Sequence, residues 1–231
     1  MKTLGLIGGT SWLSTVEYYR IINHEINKRL GGLNSSKMFL YSINQEEQKP
    51  PSDPGGVNEA AKFLTDIALR LEKVGAECLV LCANTTHMLA DIIQKDIHIP
   101  LIHIAEVTAK AIINKKISTV GLLGTKPTME LSFYKDRLAK FGISTLTPDE
   151  GDREFIHASI FDELDKEILK EETRKKFLDI IDDLVQKGAE GIILGCTEIP
   201  LLIKQSDCNV SVFDTTEIHA MAAVEFALSD E

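Results

Sequence analysis

The sequence predicts an α/β protein of two similar lobes, each a parallel sheet flanked by helices, related by an internal pseudo-twofold duplication. Three observations carry this prediction. Apolar strand-like runs alternate with helical patterns, as in βαβ units with a parallel sheet. Three segments of the first half return in the same order in the second. TLGLIGGT (3–10) matches TVGLLGT (119–125), GAECLVLC (75–82) matches GAEGIILGC (188–196), and IPLIHIAEV (99–107) matches VSVFDTTEI (210–218), at separations of 116, 113 and 111 residues. Finally, two of the four cysteines, Cys82 and Cys196, end matched apolar runs.

Taken in order, KTLGLIGG reads as a buried strand, and Ser14 is placed to cap the helix that follows. In that helix Val16, Tyr19, Ile22, Ile26 and Leu30 recur at helical spacing, and Gly31-Gly32 can end it. SKMFLYSI is a second strand, 59–74 a helix closed at Gly75, and ECLVL a third strand. The matched thiol strands each follow a helix with a basic residue near its end, Lys73 and Lys187. The run DELDKEILKEETRKK (162–176) reads as a solvated helical face rich in i,i+4 partners, with Lys166 held apart from it. The expected boundaries are an N-terminal lobe over 1–98, a C-terminal lobe over 99–210, and a strand and helix over 211–231 that pack back on the first lobe.

Composition narrows the function classes. A chain of 231 residues that is 44% hydrophobic can bury one large core or two smaller ones. A formal net charge of -10 argues against nucleic acid or an anionic membrane as partner. The opening MKTLGLIGGT is too short an apolar run for a signal peptide, and no run approaches the ~20 residues that span a bilayer. The cysteines, Cys78, Cys82, Cys196 and Cys208, form no CxxC pair. Free thiols in a cytoplasmic setting are therefore expected, with no metal and no cofactor.

Each of Cys82 and Cys196 precedes a polar turn, Asn84-Thr85 or Thr197-Glu198. Backbone N–H groups at a helix start there would lower the thiol pKa. In open parallel sheets functional loops gather at the carboxyl ends of strands, so a duplication would set the two thiols on opposite sides of one cleft. Cys78 and Cys208 lack such an equivalence and read as packing residues. LIGGTSW lacks GxGxxG spacing, which argues against a dinucleotide, but its N–H groups with Thr10 and Ser11 suit a carboxylate. LLGTKPT supplies the matched loop, with Thr125 and Thr128, and is not a phosphate-binding P-loop. His87 reads equally as a helix-surface or orienting residue or as a base, and His103 and His219 read as structural.

The set IGGTSW, CANTTH, LLGT and GCTEIP, with PDE…DR at 148–153 and the closing FDTTEIHAMAAVEFAL, resembles the aspartate/glutamate racemase family over essentially the whole chain. The resemblance implies a cofactor-independent racemase of aspartate, glutamate or both. Cys82 and Cys196 would be its acid/base pair, one thiolate removing the Cα proton while the other thiol donates to the opposite face. Asn84, Thr85 and Thr197 would bind the substrate's carboxylate and amino groups, and Thr10 and Thr125 would line the same cleft. Lys166 resembles a lysine directed at the distal carboxylate in some aspartate racemases. A homodimer is implied too. Two departures stand out: Ala83 replaces the threonine of the Cys-Thr-Asn-Thr found in many relatives. The loop SINQEEQKPPSD carries Gln45, Gln48 and Lys49 but no arginine.

Two other readings stay open. One is a racemase of other amino acids, or an isomerase or decarboxylase of a small dicarboxylate. The other is a non-enzymatic bilobed small-molecule binder, against which paired thiols argue.

Overall fold

The computed structural model describes residues 1–47 and 55–229. Gln48 and Lys49, singled out above, lie outside the described residues. The chain divides into two compact units, 1–103 with 219–231, and 104–218.

The first unit opens with β1 (Leu4–Gly8), α1 (Trp12–Leu30), β2 (Met38–Ser42), α2 (Gly56–Lys73), β3 (Cys78–Leu81) and α3 (Ala90–Asp96), with a 3₁₀ turn at Thr85–Leu89 before α3. Its sheet runs β2-β1-β3, all parallel. The second unit holds α4 (Ile104–Asn114), β4 (Thr119–Gly124), α5 (Lys126–Glu130), α6 (Ser132–Ala139), β5 (Ser144–Leu146), α7 (Glu150–Asp162), α8 (Glu171–Gln186), β6 (Gly191–Gly195), α9 (Ile199–Leu202) and β7 (Ser211–Asp214). Its sheet runs β5-β4-β6-β7, again all parallel. The last helix, α10 (Thr215–Leu228), belongs to the first unit from His219 onward.

The duplication holds at the level of single residue pairs. Leu4 pairs with Cys78 and Gly5 with Leu79; at the matched positions Val120 pairs with Gly191 and Gly121 with Ile192. An isolated parallel bridge, Leu79 with Leu101, has its counterpart in the pairing of Ile192 with Val212. What is a single bridge in the first unit is thus a full strand, β7, in the second. The two GAE segments do the same work. Glu77 accepts from the Thr3 N–H at 2.5 Å, and Glu190 accepts from the Ser118 and Thr119 N–H groups at 2.8 and 2.9 Å. Each carboxylate satisfies donors at the first end of a strand that the ladder leaves open. Both helices before these segments end at a left-handed glycine, Gly75 at φ 102° and Gly188 at φ 103°.

Each sheet separates two apolar layers, as alternation along a strand requires. In the first unit Leu79 and Leu81 face Leu64, Ile67 and Leu71 of α2, while Cys78, Val80 and Cys82 face Tyr18, Ile22 and Ile26 of α1 and Ala220, Ala223 and Val224 of α10. In the second, Ile192 and Leu194 pack with Phe177, Ile181 and Leu184 of α8, and Val120, Leu122 and Ile193 with α4 and α6.

Three local readings change. Ser11, not Ser14, caps α1 by accepting from the Ser14 N–H. The charged run 162–176 is not one helical face, because the chain turns at Leu164–Lys166 and Glu167 takes φ 56° before α8 begins. The units divide at 103/104 and 218/219, later than the expected 98/99 and 210/211, since β7 completes the second sheet by pairing with β6.

The turn after β1 requires glycine. Gly9 has φ 91°, and a Cβ there would collide with the backbone of Ile43. Gly9→Ala is expected to cost about 2 kcal/mol or more, a fall in Tm of roughly 4–8 °C. Gly75→Ala, where nothing lies within 4 Å of the added carbon, should cost only its backbone strain, about 1 kcal/mol. Thermal unfolding of the two variants measures the difference.

Candidate active site

Cys82 sits one residue beyond β3 and is buried. Its N–H donates to the Ile7 carbonyl at 2.9 Å, so the pairing of β1 with β3 runs on to the thiol itself. Ser14 Oγ donates to the Cys82 carbonyl at 2.7 Å and ties α1 to the turn. The loop before it is equally committed: the Gly9 N–H donates to Thr15 Oγ1, and Thr15 Oγ1 donates to the Ser11 carbonyl. Of the carboxylate nest expected there, the Gly9 donor is thus already used, while Thr10 stands half-buried beside it. Beyond the thiol, Asn84 is buried and Thr85 half-buried. The Ala83 carbonyl anchors this turn by accepting from Thr86 Oγ1 at 2.8 Å and from His87 Nδ1 at 2.9 Å.

His87 is not a surface residue. It is 2% exposed, with its ring centroid 4.9 Å from that of His103 and 5.2 Å from that of His219. His219 Nε2 donates to the Ile102 carbonyl and Nδ1 accepts from Tyr18 Oη, both at 2.7 Å. A carbonyl can only accept, so these bonds select the Nε2–H tautomer. Burial, and then the neighbouring His87, push the His219 pKa down to about 3. These three rings brace the far side of the Cys82 turn.

In the second unit Cys196 follows β6 and is partly buried. Its Sγ donates to Glu198 Oε2 at 2.9 Å. Glu198 is 3% exposed. Asp165, in the turn at Leu164–Lys166 that packs on α9, is hydrogen-bonded to Glu198. Burial first, and then the charge of Glu198, push the Asp165 carboxyl up to about 6, with Lys166 opposing. Thr125 precedes α5, is 8% exposed and lies 3.1 Å from Thr128, hydroxyl to hydroxyl. Thr197 is half-buried next to the thiol. The Lys166 side chain is 58% exposed, its ammonium 3.9 Å from Asp162.

Both thiols are pushed up, not down. Burial alone raises Cys82; burial followed by the charge of Glu198 raises Cys196 well above the ordinary thiol value. The expected helix dipoles are missing for a local reason: a 3₁₀ turn follows Cys82 and a four-residue helix follows Cys196. Cys78, at about 12, and Cys208 are also raised by burial, in keeping with packing residues.

The inserted Gly195 matters here. Cys82 shares the α1/α10 layer, whereas Cys196 packs on the layer of α7 and α8, which matches the α2 side of the first unit. One extra residue at a strand end turns the side chain to the other face. The thiols therefore occupy matching strand ends but unlike surroundings. Among the described residues, no three His, Cys, Asp or Glu side chains are gathered to hold a metal ion. No described helix is long and apolar enough to cross a membrane.

Sequence reasoning passed over Ser14 as a carbonyl donor, Tyr18, Glu198 and Asp165. Glu198 was visible two residues beyond a suspect thiol. Asp165 carried no signal, being one acid among many in a charged run.

Each unit is thus a parallel α/β sheet with a thiol at the carboxyl end of its third strand, the plan of a duplicated α/β fold. The model of the Asp/Glu/hydantoin racemase family matches residues 7–223, and the chain belongs to that family. It is thereby an enzyme of the racemase kind. Among solved structures, a Yersinia pestis protein described as a candidate Asp/Glu racemase is 46% identical over 99% of this chain and 100% of its own, with a TM-score of 0.94. An aspartate racemase homologue of Pyrococcus horikoshii OT3 is 35% identical over 99% and 100%, with a TM-score of 0.89. The broad specificity amino-acid racemase RacX of Bacillus subtilis (strain 168) is 24% identical over 98% of each chain.

The buried histidine carries a stability prediction. His219 titrates at about 3 folded and 6.5 unfolded. Between these values the unfolded chain binds more protons, so stability falls as pH drops through this window and is fully present above 6.5. The slope approaches about 1.4 kcal/mol per pH unit. Urea unfolding at pH 7, 6 and 5 should show this loss in the wild type and a shallower one in His219→Gln.

Proposed function

We propose that the chain racemises aspartate, glutamate or both, with Cys82 and Cys196 exchanging protons on opposite faces of Cα. The observation that carries this reading is the pair of free thiols, each placed by the same strand register at the carboxyl end of the third strand of its unit. In one direction a thiolate takes the Cα proton and the other thiol gives its proton to the carbanion; the roles then reverse. Burial favours the neutral thiol, so ionisation must accompany substrate entry. The substrate ammonium beside a sulfur would favour the thiolate, and donors around the α-carboxylate would stabilise the charge that develops on it.

Asn84, Thr85 and Thr197 are assigned to the α-carboxylate and ammonium, with Thr10 and Thr125 contributing from the loops after β1 and β4. Lys166 is assigned to a distal carboxylate, because its ammonium is exposed and its contact to Asp162 is long, at 3.9 Å. The chemistry needs no metal or cofactor, and a reducing cytoplasm suits its thiols. A homodimer is expected, and sedimentation would read the mass as one chain or two. A second reading, racemisation of other amino acids, is favoured by Ala83, which removes a hydroxyl next to the first base.

Purified protein incubated in heavy water with L-Asp or L-Glu, under reducing conditions and without added cofactor, should incorporate deuterium at Cα and form the D isomer. Exchange with neutral amino acids alone would transfer the activity to the second reading; no exchange with any amino acid would sink both. Cys82→Ser and Cys196→Ser should each lower racemisation by at least about 10³-fold, on the scale of removing an acid/base group. Near-normal two-way turnover in either variant would exclude the two-base mechanism.

A further inference from the structure

We infer that His157 is a positioning residue: by accepting the Lys126 N–H it caps α5 from a neighbouring helix and fixes Thr125, the residue just before that helix. The inference deepens the racemase reading, since the role of Thr125 rests on that reading; the cap itself does not depend on it.

The need for such a cap follows from the sequence. The first N–H groups of a helix have no partner within it. In the first unit Ser11, next to Thr10, closes α1 with its own side chain. The residue that follows the matched Thr125 is Lys126, whose side chain has no acceptor. Thr125 gives α5 no side-chain cap either, and its hydroxyl lies 3.1 Å from Thr128 Oγ1. The acceptor comes instead from α7. The Lys126 N–H donates to His157 Nδ1 at 3.2 Å. Acceptance at Nδ1 selects the Nε2–H tautomer of the neutral ring. The ring also meets Phe161, one turn along the same helix, with centroids 4.9 Å apart.

Two neighbours of His157 complete the clamp. Glu154 pairs with the Lys126 ammonium, and Arg153 Nε donates to Glu130 Oε1 at 3.0 Å. About one turn of α7 therefore grips both the first and the last residue of α5. Arg153 Nη1 donates in addition to the Pro148 carbonyl at 2.7 Å, just ahead of α7, so the stretch 148–153 braces the clamp. Both ion pairs are partly exposed, and such pairs contribute little on their own. The bond to His157 differs in kind. It satisfies a backbone donor at the residue next to Thr125, so its loss frees the start of α5 to fray and Thr125 to move with it. His157 acts through Thr125 and does not touch the substrate.

The test compares wild type, His157→Phe, His157→Asn, Thr125→Val and the double variant His157→Phe/Thr125→Val. Amide hydrogen exchange over 125–131 reads the cap, and racemisation kinetics read its consequence. Phenylalanine keeps a ring against Phe161 but has no acceptor, whereas asparagine restores one close to the place of Nδ1. His157→Phe should speed amide exchange over 125–131 and raise KM by about three- to tenfold, the scale of one lost hydrogen bond, with kcat changed far less. His157→Asn should return both towards wild type. In the double variant the KM rise should not add to that of Thr125→Val, because both changes act on one contact. Unmoved amide exchange in folded His157→Phe overturns the cap; should that variant fail to fold, His157→Leu is read in the same way. Faster amide exchange with an unchanged or fully additive KM overturns the positioning of Thr125. Wild-type protein that turns over no amino acid overturns the racemase reading, and amide exchange then decides the cap alone.

Discussion

The parallel pairing of the first strand of each unit with its third is the constraint from which the rest of the site follows. Gly5 opposite Leu79 and Gly121 opposite Ile192 hold the same register in the two units. The glycines make that pairing compatible with the packed layer: a Cβ on Gly5 would come within 2.8 Å of Ala76 Cβ, and one on Gly121 within 2.7 Å of Ile192 Cδ1. Once this register is set, β1 and β3 end together, and so do β4 and β6. The loops that carry Thr10 and Cys82, and those that carry Thr125 and Cys196, then emerge side by side at the carboxyl ends of their strands.

Burial does the next part of the work and opposes ionisation of both thiols. A thiol at the end of an apolar strand shares the core's low polarity, which disfavours its charged form. The polar turns beyond the strands do not compensate with a helix dipole, because neither is a helix of useful length. What they offer is fixed hydrogen bonding: Ala83 held by Thr86 and His87 in one unit, and Glu198 held against Cys196 in the other. The histidine group of the first unit belongs to this rigidity. The tautomers of His87 and His219 are set by carbonyl partners, and His219, 0% exposed and low in pKa, braces the turn as a neutral group.

Much of this was legible in the sequence because it is carried by repetition. Three matched segments at nearly constant separation specify the parallel sheets flanked by helices and the two strand-end thiols, since a duplicated strand must find its duplicated neighbour. The elements that escaped are those where one residue decides the outcome. Whether Ser11 or Ser14 caps α1 depends on where the chain leaves Gly9, not on residue type. The charged run 162–176 has helical composition throughout, and only the left-handed Glu167 reveals the turn that brings Asp165 to Glu198. His87 looks like a surface histidine until the last helix supplies His219 from the far end of the chain.

The same contrast explains how a duplicated fold can hold an unequal pair of thiols. Repetition places both sulfurs at equivalent strand ends, and Gly195 then turns one of them into the other layer. In its new surroundings Cys196 meets a buried carboxylate, while Cys82 keeps to apolar neighbours. The proton exchange proposed for Cys82 and Cys196 requires two groups with opposite protonation states at each moment, not two identical ones. Sequence symmetry supplies the two positions; the single inserted residue supplies the difference between them.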